Sequence, residues 1–288
     1  MLNNSLGDRQ KGEGGVKRIG LIAGNGRLPL IWARCAREEK IKVIAIAFQG
    51  ETEKNLKQCV DEIHWLKLGH LNKLIDILKS RDVHYAVMIG QIRPIRFLFK
   101  TFFFKDEETK KILNEVKDRR GNSLLAAFAG RLEAEGINLL DSRTFISDYL
   151  PKEGALTKIK IDERVRRDIE FGYKLAKQIS GLDIGQTVVV KDLAVLAVEA
   201  IEGTNKAILR GAKLGGEETV VIKVSSPQHD MRFDIPVIGP KTVYYLNKVK
   251  AKAIAIEAQR TLIVDKENTL KLAAEKKIAV VALGENRK

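Results

Sequence analysis

The chain of 288 residues has two cysteines, six prolines and only 6% aromatic residues. Cys35 and Cys59 are isolated, without CxxC spacing, which excludes a disulfide scaffold and a thiol metal site. They read as small buried hydrophobes of a reducing compartment. The composition also excludes a collagen-like or disordered chain. No run of about 18 apolar residues occurs, so no membrane-spanning helix is expected. Residues 1–16 are polar and Gly-rich and lack the apolar stretch of a signal peptide, so a flexible tail on a cytoplasmic protein is expected. The four histidines, His64, His70, His84 and His229, show no metal-ligand spacing, and HExxH and GxSxG are absent.

What is present is ample apolar material and a strong positive excess. Hydrophobic residues make up 44% of the chain, enough for a sizeable core, and the net charge is +14. That excess is even: 26 basic against 19 acidic residues in 1–150, and 25 against 18 in 151–288. Nucleic-acid binders concentrate charge on a stripe or an arm, so no nucleic-acid partner is expected. An even excess suits an anionic small substrate, an anionic membrane surface or a plainly solvated exterior.

Apolar runs at 17–24, 42–47, 62–68 and 84–89 alternate with helical patterns, the clearest being Leu71, Leu74, Ile75 and Leu78. Such alternation predicts βαβ units and a parallel sheet. Asn122 is a plausible N-cap for a helix carrying Leu125, Phe128 and Leu132, and a strand over 137–140 follows. The first domain should end near Leu150. The second half predicts a helix over 162–180, strands over 187–191 and 193–198, a helix from Thr204, and a strand over 219–224. A proline-flanked loop through Pro236 and Pro240 comes next, then a helix around Leu246 and strands over 253–258 and 262–264. A helix capped by Asp265 and a strand over 278–283 close the chain. The expected fold class is α/β in two domains, with a flexible tail at 1–16 and domains at 17–150 and 151–288.

Four segments could carry chemistry. Gly24, Asn25 and Gly26 end the first strand before a helix, where backbone N–H groups can approach a phosphate. The turn is not a complete GxGxxG, and no Lys-Ser/Thr pair follows it. A tight strand-to-helix turn would require the same glycines. Glu199, Glu202, Gly203 and Thr204 follow an apolar strand and could serve as a functional carboxylate site or as a helix cap. The segment Ser225–Pro240 holds Asp230, Arg232 and Asp234 between prolines. Aspartate can hold a metal ion or activate water, and arginine can grip phosphate oxygens; a surface ion pair with a turn cap accounts for the same residues. Pro94–Phe104 contains five of the ten phenylalanines beside Arg93, Arg96 and Lys100. This pattern suits a bilayer contact as well as a buried helix or a dimer interface.

The opening GLIAGNGRLP, the central AVEAIEGTN and the later DMRFDIPVIGPKTV, in that order, resemble the LpxI family of UDP-2,3-diacylglucosamine pyrophosphatases. The resemblance implies a Rossmann-like N-terminal domain holding the uridine nucleotide and a C-terminal α/β domain holding the acylated sugar phosphate. It implies a Mg2+-dependent enzyme of lipid A biosynthesis, peripheral to the inner membrane, usually dimeric, that yields UMP and 2,3-diacylglucosamine 1-phosphate (lipid X). Asp234 falls on the family's catalytic aspartate, with Arg232 and Pro236 matching around it. Gly24, Asn25, Gly26, Glu202, Gly203 and Thr204 fall on substrate-binding segments, and Asp234 and Glu202 are the implied metal ligands. Asn205 stands where the family usually carries aspartate; if that aspartate helps bind Mg2+, either Glu202 or Asp234 must do more here.

Two other classes compete. A nucleotide-dependent oxidoreductase would use the first βα turn, but no acidic residue clearly ends the second strand to hold a ribose; Gln49 and Glu51 are nearest. A basic nucleic-acid- or membrane-binding module without catalysis would use the charge of +14.

Overall fold

The computed structural model describes residues 17–92, 106–116, 121–226, 230–232 and 235–284. The chain divides into two units, Met1–Ile146 and Ser147–Lys288. The first unit is built on β1 (Arg18–Ala23), β2 (Lys42–Phe48), β3 (Glu62–Leu66), β4 (Tyr85–Ile89) and β5 (Asn138–Leu139), in the order β3-β2-β1-β4-β5. Every pairing in this sheet is parallel. Parallel strands need long connections that lay helices on the sheet faces, so their residues are buried on both sides. This explains why β2 reads as an almost unbroken apolar run, with Val43, Ala45, Ile46 and Ala47 fully buried.

Helices α1 (Leu28–Glu38), α2 (Leu71–Ser80), α3 (Glu107–Glu115) and α4 (Gly121–Ala134) complete the unit. In α2, Leu71, Leu74, Ile75 and Leu78 form the buried stripe that their spacing predicts. Trp32 of α1 is fully buried and packs against Phe145 with ring centroids 5.6 Å apart. The strand order reverses between β1 and β4, which places a crevice at the carboxyl edge of the sheet.

The second unit contains β6 (Gly154–Ala155), α5 (Glu163–Gly181), β7 (Thr187–Lys191), β8 (Ala194–Val198), α6 (Thr204–Gly215), β9 (Val220–Lys223), β10 (Val237–Ile238), α7 (Pro240–Lys248), β11 (Ala253–Glu257), β12 (Leu262–Ile263), α8 (Lys266–Glu275) and β13 (Ala279–Leu283). Its main sheet runs β6-β13-β11-β9-β7-β8. The β9, β11 and β13 strands are parallel, while β6, β7 and β8 join antiparallel. The short β10 and β12 strands pair with each other. Asp162 caps α5 by accepting from Val165 N at 2.9 Å.

The β7–β8 hairpin turns on Asp192 and Leu193, whose φ values are 51° and 60°. Two consecutive positive φ values define a primed turn, whose twist suits antiparallel strands. Leucine is strained there. The buried carboxylate of Asp168, on α5, offsets this by accepting from Asp192 N at 3.0 Å and Leu193 N at 2.7 Å.

The structure departs from the sequence reading in detail. Helix α4 already includes Gly121, so Asn122 lies inside it rather than at its N-cap. Asp265 does occupy the N-cap of α8, in a left-handed conformation and without a capping bond from its side chain. The segment expected as a loop before Pro240 contains β10, and Gly154–Ala155 forms β6. Two-residue strands carry no periodicity, so the sequence pattern does not reveal them.

Candidate active site

In the first unit, Gly24, Asn25 and Gly26 sit where β1 leaves the carboxyl edge of the sheet. Gly24 N donates to Ile89 O at 2.8 Å, and Asn25 exchanges backbone bonds with Gln91 at 2.7 and 3.1 Å. Two of the three amides expected to face a phosphate are therefore engaged by the strand-end loop of β4. A Cβ at Gly24 would lie 2.6 Å from the backbone of Gly90, so this glycine permits two loops to cross. Gly26, at φ 93° with open space around it, is the part of the turn left for a ligand.

In the second unit a buried polar cluster forms at the carboxyl end of β9. Lys223, the last residue of that strand, is 6% exposed. Its Nζ donates to Thr204 Oγ1 at 2.8 Å and lies 3.9 Å from Glu199 Oε2. Thr204 in turn donates to Glu199 Oε1 at 2.9 Å. The Thr204 proton is thus directed at Glu199, leaving its lone pairs for Lys223 and for the Thr187 hydroxyl at 3.4 Å. Glu199 Oε2 is buried and, among the described residues, accepts no hydrogen bond. Among the described residues, Thr204 is the only hydrogen-bond acceptor of the Lys223 ammonium. Gly203, at φ 82°, lets the chain turn sharply from β8 into α6.

Thr204 therefore belongs to the cluster, whereas Glu202 does not. Glu202 accepts from Arg210 Nη2 at 2.6 Å and from Ala200 N at 3.1 Å. Partial burial opposes its ionisation, but the Arg210 guanidinium and these amide donors outweigh it and hold its carboxyl below the usual range. The inward carboxylate is Glu199. Lys223 did not emerge from the sequence reading; a lysine ending the apolar run Val220–Lys223, at the carboxyl end of a central strand, was the available signal.

Beyond β9 the chain enters the segment with the expected catalytic residues. Asp230 binds Arg232 through Nη2 at 2.6 Å and Nε at 2.9 Å, and accepts from Arg232 N at 3.0 Å. The Arg232 fork thus already holds a carboxylate. Asp234 and His229 lie outside the described residues, as does the phenylalanine-rich stretch at 94–104. The start of the segment is anchored by Glu257, which is 1% exposed and accepts from Ser225 Oγ at 2.6 Å and Lys177 Nζ at 2.7 Å. Burial works against the Glu257 charge, yet Lys177 and Ser225 prevail and its carboxyl titrates below the ordinary range.

Among the described residues no three His, Cys, Asp or Glu side chains gather to hold a metal ion. Mg2+ characteristically takes one or two protein carboxylates and completes its shell with water and substrate phosphates. The orphaned Glu199 oxygen fits that sparse pattern better than Glu202, which Arg210 engages. Among the described residues no helix is long and apolar enough to cross a membrane.

Comparison with known proteins gives a consistent match. Residues 18–149 match the model of the LpxI N-terminal domain, and residues 152–281 match that of the LpxI C-terminal domain. The UDP-2,3-diacylglucosamine pyrophosphatase LpxI of Caulobacter vibrioides is 27% identical over 280 residues, covering 93% of this chain and 98% of the relative. Similar solved structures include the biotin carboxylase domain of the Hydrogenobacter thermophilus 2-oxoglutarate carboxylase, at 11% identity and TM-score 0.28, covering 70% of this chain and 43% of that one. Phosphoribosylglycinamide synthetase from Anaerococcus prevotii is another, at 16% identity and TM-score 0.25, covering 67% and 34%. These two overlaps are too loose to bear on fold or function.

Proposed function

The chain belongs to the LpxI family, and from that premise we propose that it hydrolyses the pyrophosphate of UDP-2,3-diacylglucosamine in lipid A synthesis. The observation that carries this reading is the relative of that activity, aligned along 98% of its own length. Water attacks one phosphorus, the bond from that phosphorus to the bridging oxygen breaks, and UMP and 2,3-diacylglucosamine 1-phosphate leave.

Such a reaction needs an oriented water and neutralisation of charge on the phosphate oxygens. Asp234 is the proposed group that takes the proton from water or holds the metal ion. Lys223, buried and with Thr204 as its only hydrogen-bond acceptor among the described residues, is the proposed partner of a phosphate oxygen, and Thr204 and Glu199 keep its Nζ in place. Arg232 reaches a phosphate only by sharing its fork with Asp230. In the first unit, Gly26 is the open part of the glycine turn. Mg2+, held by Asp234 and Glu199 or Glu202 together with substrate phosphates, would supply Lewis-acid stabilisation when bound.

The amphipathic substrate and the even positive charge also suit peripheral attachment to an anionic bilayer; association as a homodimer belongs to the same proposal. The test is UMP release from UDP-2,3-diacylglucosamine by the purified chain with Mg2+, repeated with EDTA. No UMP at any metal concentration removes the function. Release that survives full chelation removes the metal requirement.

A further inference from the structure

We propose that Glu257, together with Lys177, is a positioning residue for hydrolysis, holding the entry of the segment that bears Asp230, Arg232 and Asp234 in register with its exit. This rests on the role given to that segment above. Ser225 stands just past the end of β9, beyond Lys223, which pairs with Ile256 of β11. A chain that leaves a sheet loses its ladder partners and must find others for its polar groups. For Ser225 the partners are side chains. Its N and Oγ donate to Glu257 Oε2 at 2.5 and 2.6 Å, and its O accepts from Lys177 Nζ at 2.9 Å. Lys177 Nζ and the Tyr173 hydroxyl donate to the other Glu257 oxygen at 2.7 and 3.2 Å. Four donors thus meet one buried carboxylate, and Ser225 is fixed through its backbone and its side chain together.

The stretch of chain that begins with Glu257 also holds the exit. Thr261 N donates to Glu257 O at 3.1 Å, and Leu262 N and Val264 N donate to Pro236 O and Ile238 O, each at 2.9 Å. This is the parallel pairing of β12 with β10. The stretch is itself tied down in between. Ala258 N donates to Leu283 O at 2.9 Å, and Gln259 donates to Pro151 O through N at 3.0 Å and Nε2 at 3.2 Å. Residues 257–264 therefore set where the segment starts and where it rejoins the fold.

An ion pair is a poor choice for stability alone. Taking two charges out of water is costly, and well-packed apolar groups of similar volume hold a fold together as well or better. Hydrogen bonds add direction, because they weaken steeply away from their preferred geometry. Groups that act on a phosphate need that accuracy, since a misplacement of about 1 Å can lower a rate about a hundredfold. The pair reaches the chemistry through the backbone. Side chains alternate along a strand, so Lys223 faces Thr204 of α6 while Glu257 faces Tyr173 and Lys177 of α5.

The experiment measures kcat and KM of the full chain on UDP-2,3-diacylglucosamine with Mg2+, with the urea midpoint of each variant taken alongside. Lys177→Met and the double variant Glu257→Leu/Lys177→Met should lose about ten- to a hundredfold in kcat, with KM changed less than about twofold. Lys177→Arg should regain most of that loss. The double variant replaces the pair by apolar groups, so its fold is expected to survive. A folded double variant with the kcat of the parent protein overturns the proposal, because packing alone would then suffice. Should both variants fail to fold, Ser225→Ala takes their place, since it removes one hydrogen bond and no charge.

A second readout needs no substrate. Hydrogen–deuterium exchange followed by mass spectrometry should quicken in Lys177→Met within peptides covering 223–238 and stay unchanged in those covering β7 and β13. Equal quickening throughout the second unit overturns the positioning role. If UMP is never released but the quickening is confined to 223–238, the pyrophosphatase reading fails and the clamp stands. If UMP is released and the folded variants keep the kcat of the parent protein, the clamp fails and the pyrophosphatase reading stands.

Discussion

Lys223 joins a strand end that is fully packed to a segment rich in charge. A lysine ammonium is rarely buried without a partner, and here a threonine hydroxyl and a carboxylate at 3.9 Å serve that purpose. Among the described residues Thr204 is the only hydrogen-bond acceptor of the Lys223 Nζ, which suits a group that would meet an anion when substrate arrives. Losing one preorganised donor to a developing negative charge typically lowers kcat about a hundredfold or more. We predict a loss of that order for Lys223→Gln, with partial recovery in Lys223→Arg, read as kcat against KM on folded protein. Equal activity of the parent protein and Lys223→Gln would show the cluster to be only structural. For Asp234→Ala the expected loss is also at least about a hundredfold in kcat, with substrate affinity little changed. Asp230→Ala should be milder, because its partner is Arg232. A dead Asp230→Ala beside an active Asp234→Ala would move the catalytic role to Asp230.

Individual elements show what the sequence made legible. Strands such as β2 and helices such as α2 were readable because one physical cause, burial of a whole run or of one stripe, leaves a periodic trace. The two-residue strands β6 and β10 leave none, being set by neighbours far along the chain. Site residues divide in the same way. Thr204 was legible from its place at a glycine-led helix start. The choice between Glu199 and Glu202 was not, because it depends on where Arg210 reaches. Nor was the engagement of the Gly24 and Asn25 amides, which the β4 loop imposes from more than 60 residues away.

The β7–β8 turn offers an element-level test. Asp168→Ala removes the acceptor of the two amides of this exposed turn, and each hydrogen bond lost lowers stability by about 0.5–1.5 kcal/mol. The urea midpoint by circular dichroism should fall accordingly. Adding Leu193→Gly should restore part of it by relieving the positive φ. An unchanged midpoint in Asp168→Ala would mean that solvent replaces the carboxylate at no loss.

For the molecule as a whole, charge balance ties stability to pH. The Glu257 carboxyl is held below its ordinary range in the folded protein, so the folded state binds its proton less readily than the unfolded state does. That contribution is complete above the unfolded value and disappears as pH falls through the folded one. Acid also removes carboxylate charge from a chain already at +14, increasing self-repulsion. Thermal melts should therefore drop steeply below the carboxylate range. Glu257→Gln should be less stable at neutral pH and should show a shallower acid decline. A parallel decline in the two proteins would take Glu257 out of the acid response.

Both tryptophans, Trp32 and Trp65, belong to the first unit, while the second has no tryptophan and carries tyrosines such as Tyr173 and Tyr245. Tryptophan emission is therefore a spectroscopic window on one half of the molecule, from the sealed ring of Trp32 against Phe145 and the half-buried Trp65. Far-ultraviolet ellipticity sees both halves. A denaturation followed by emission alone would miss any loss of structure around Lys223, and only the difference between the two signals reports on the half that carries it.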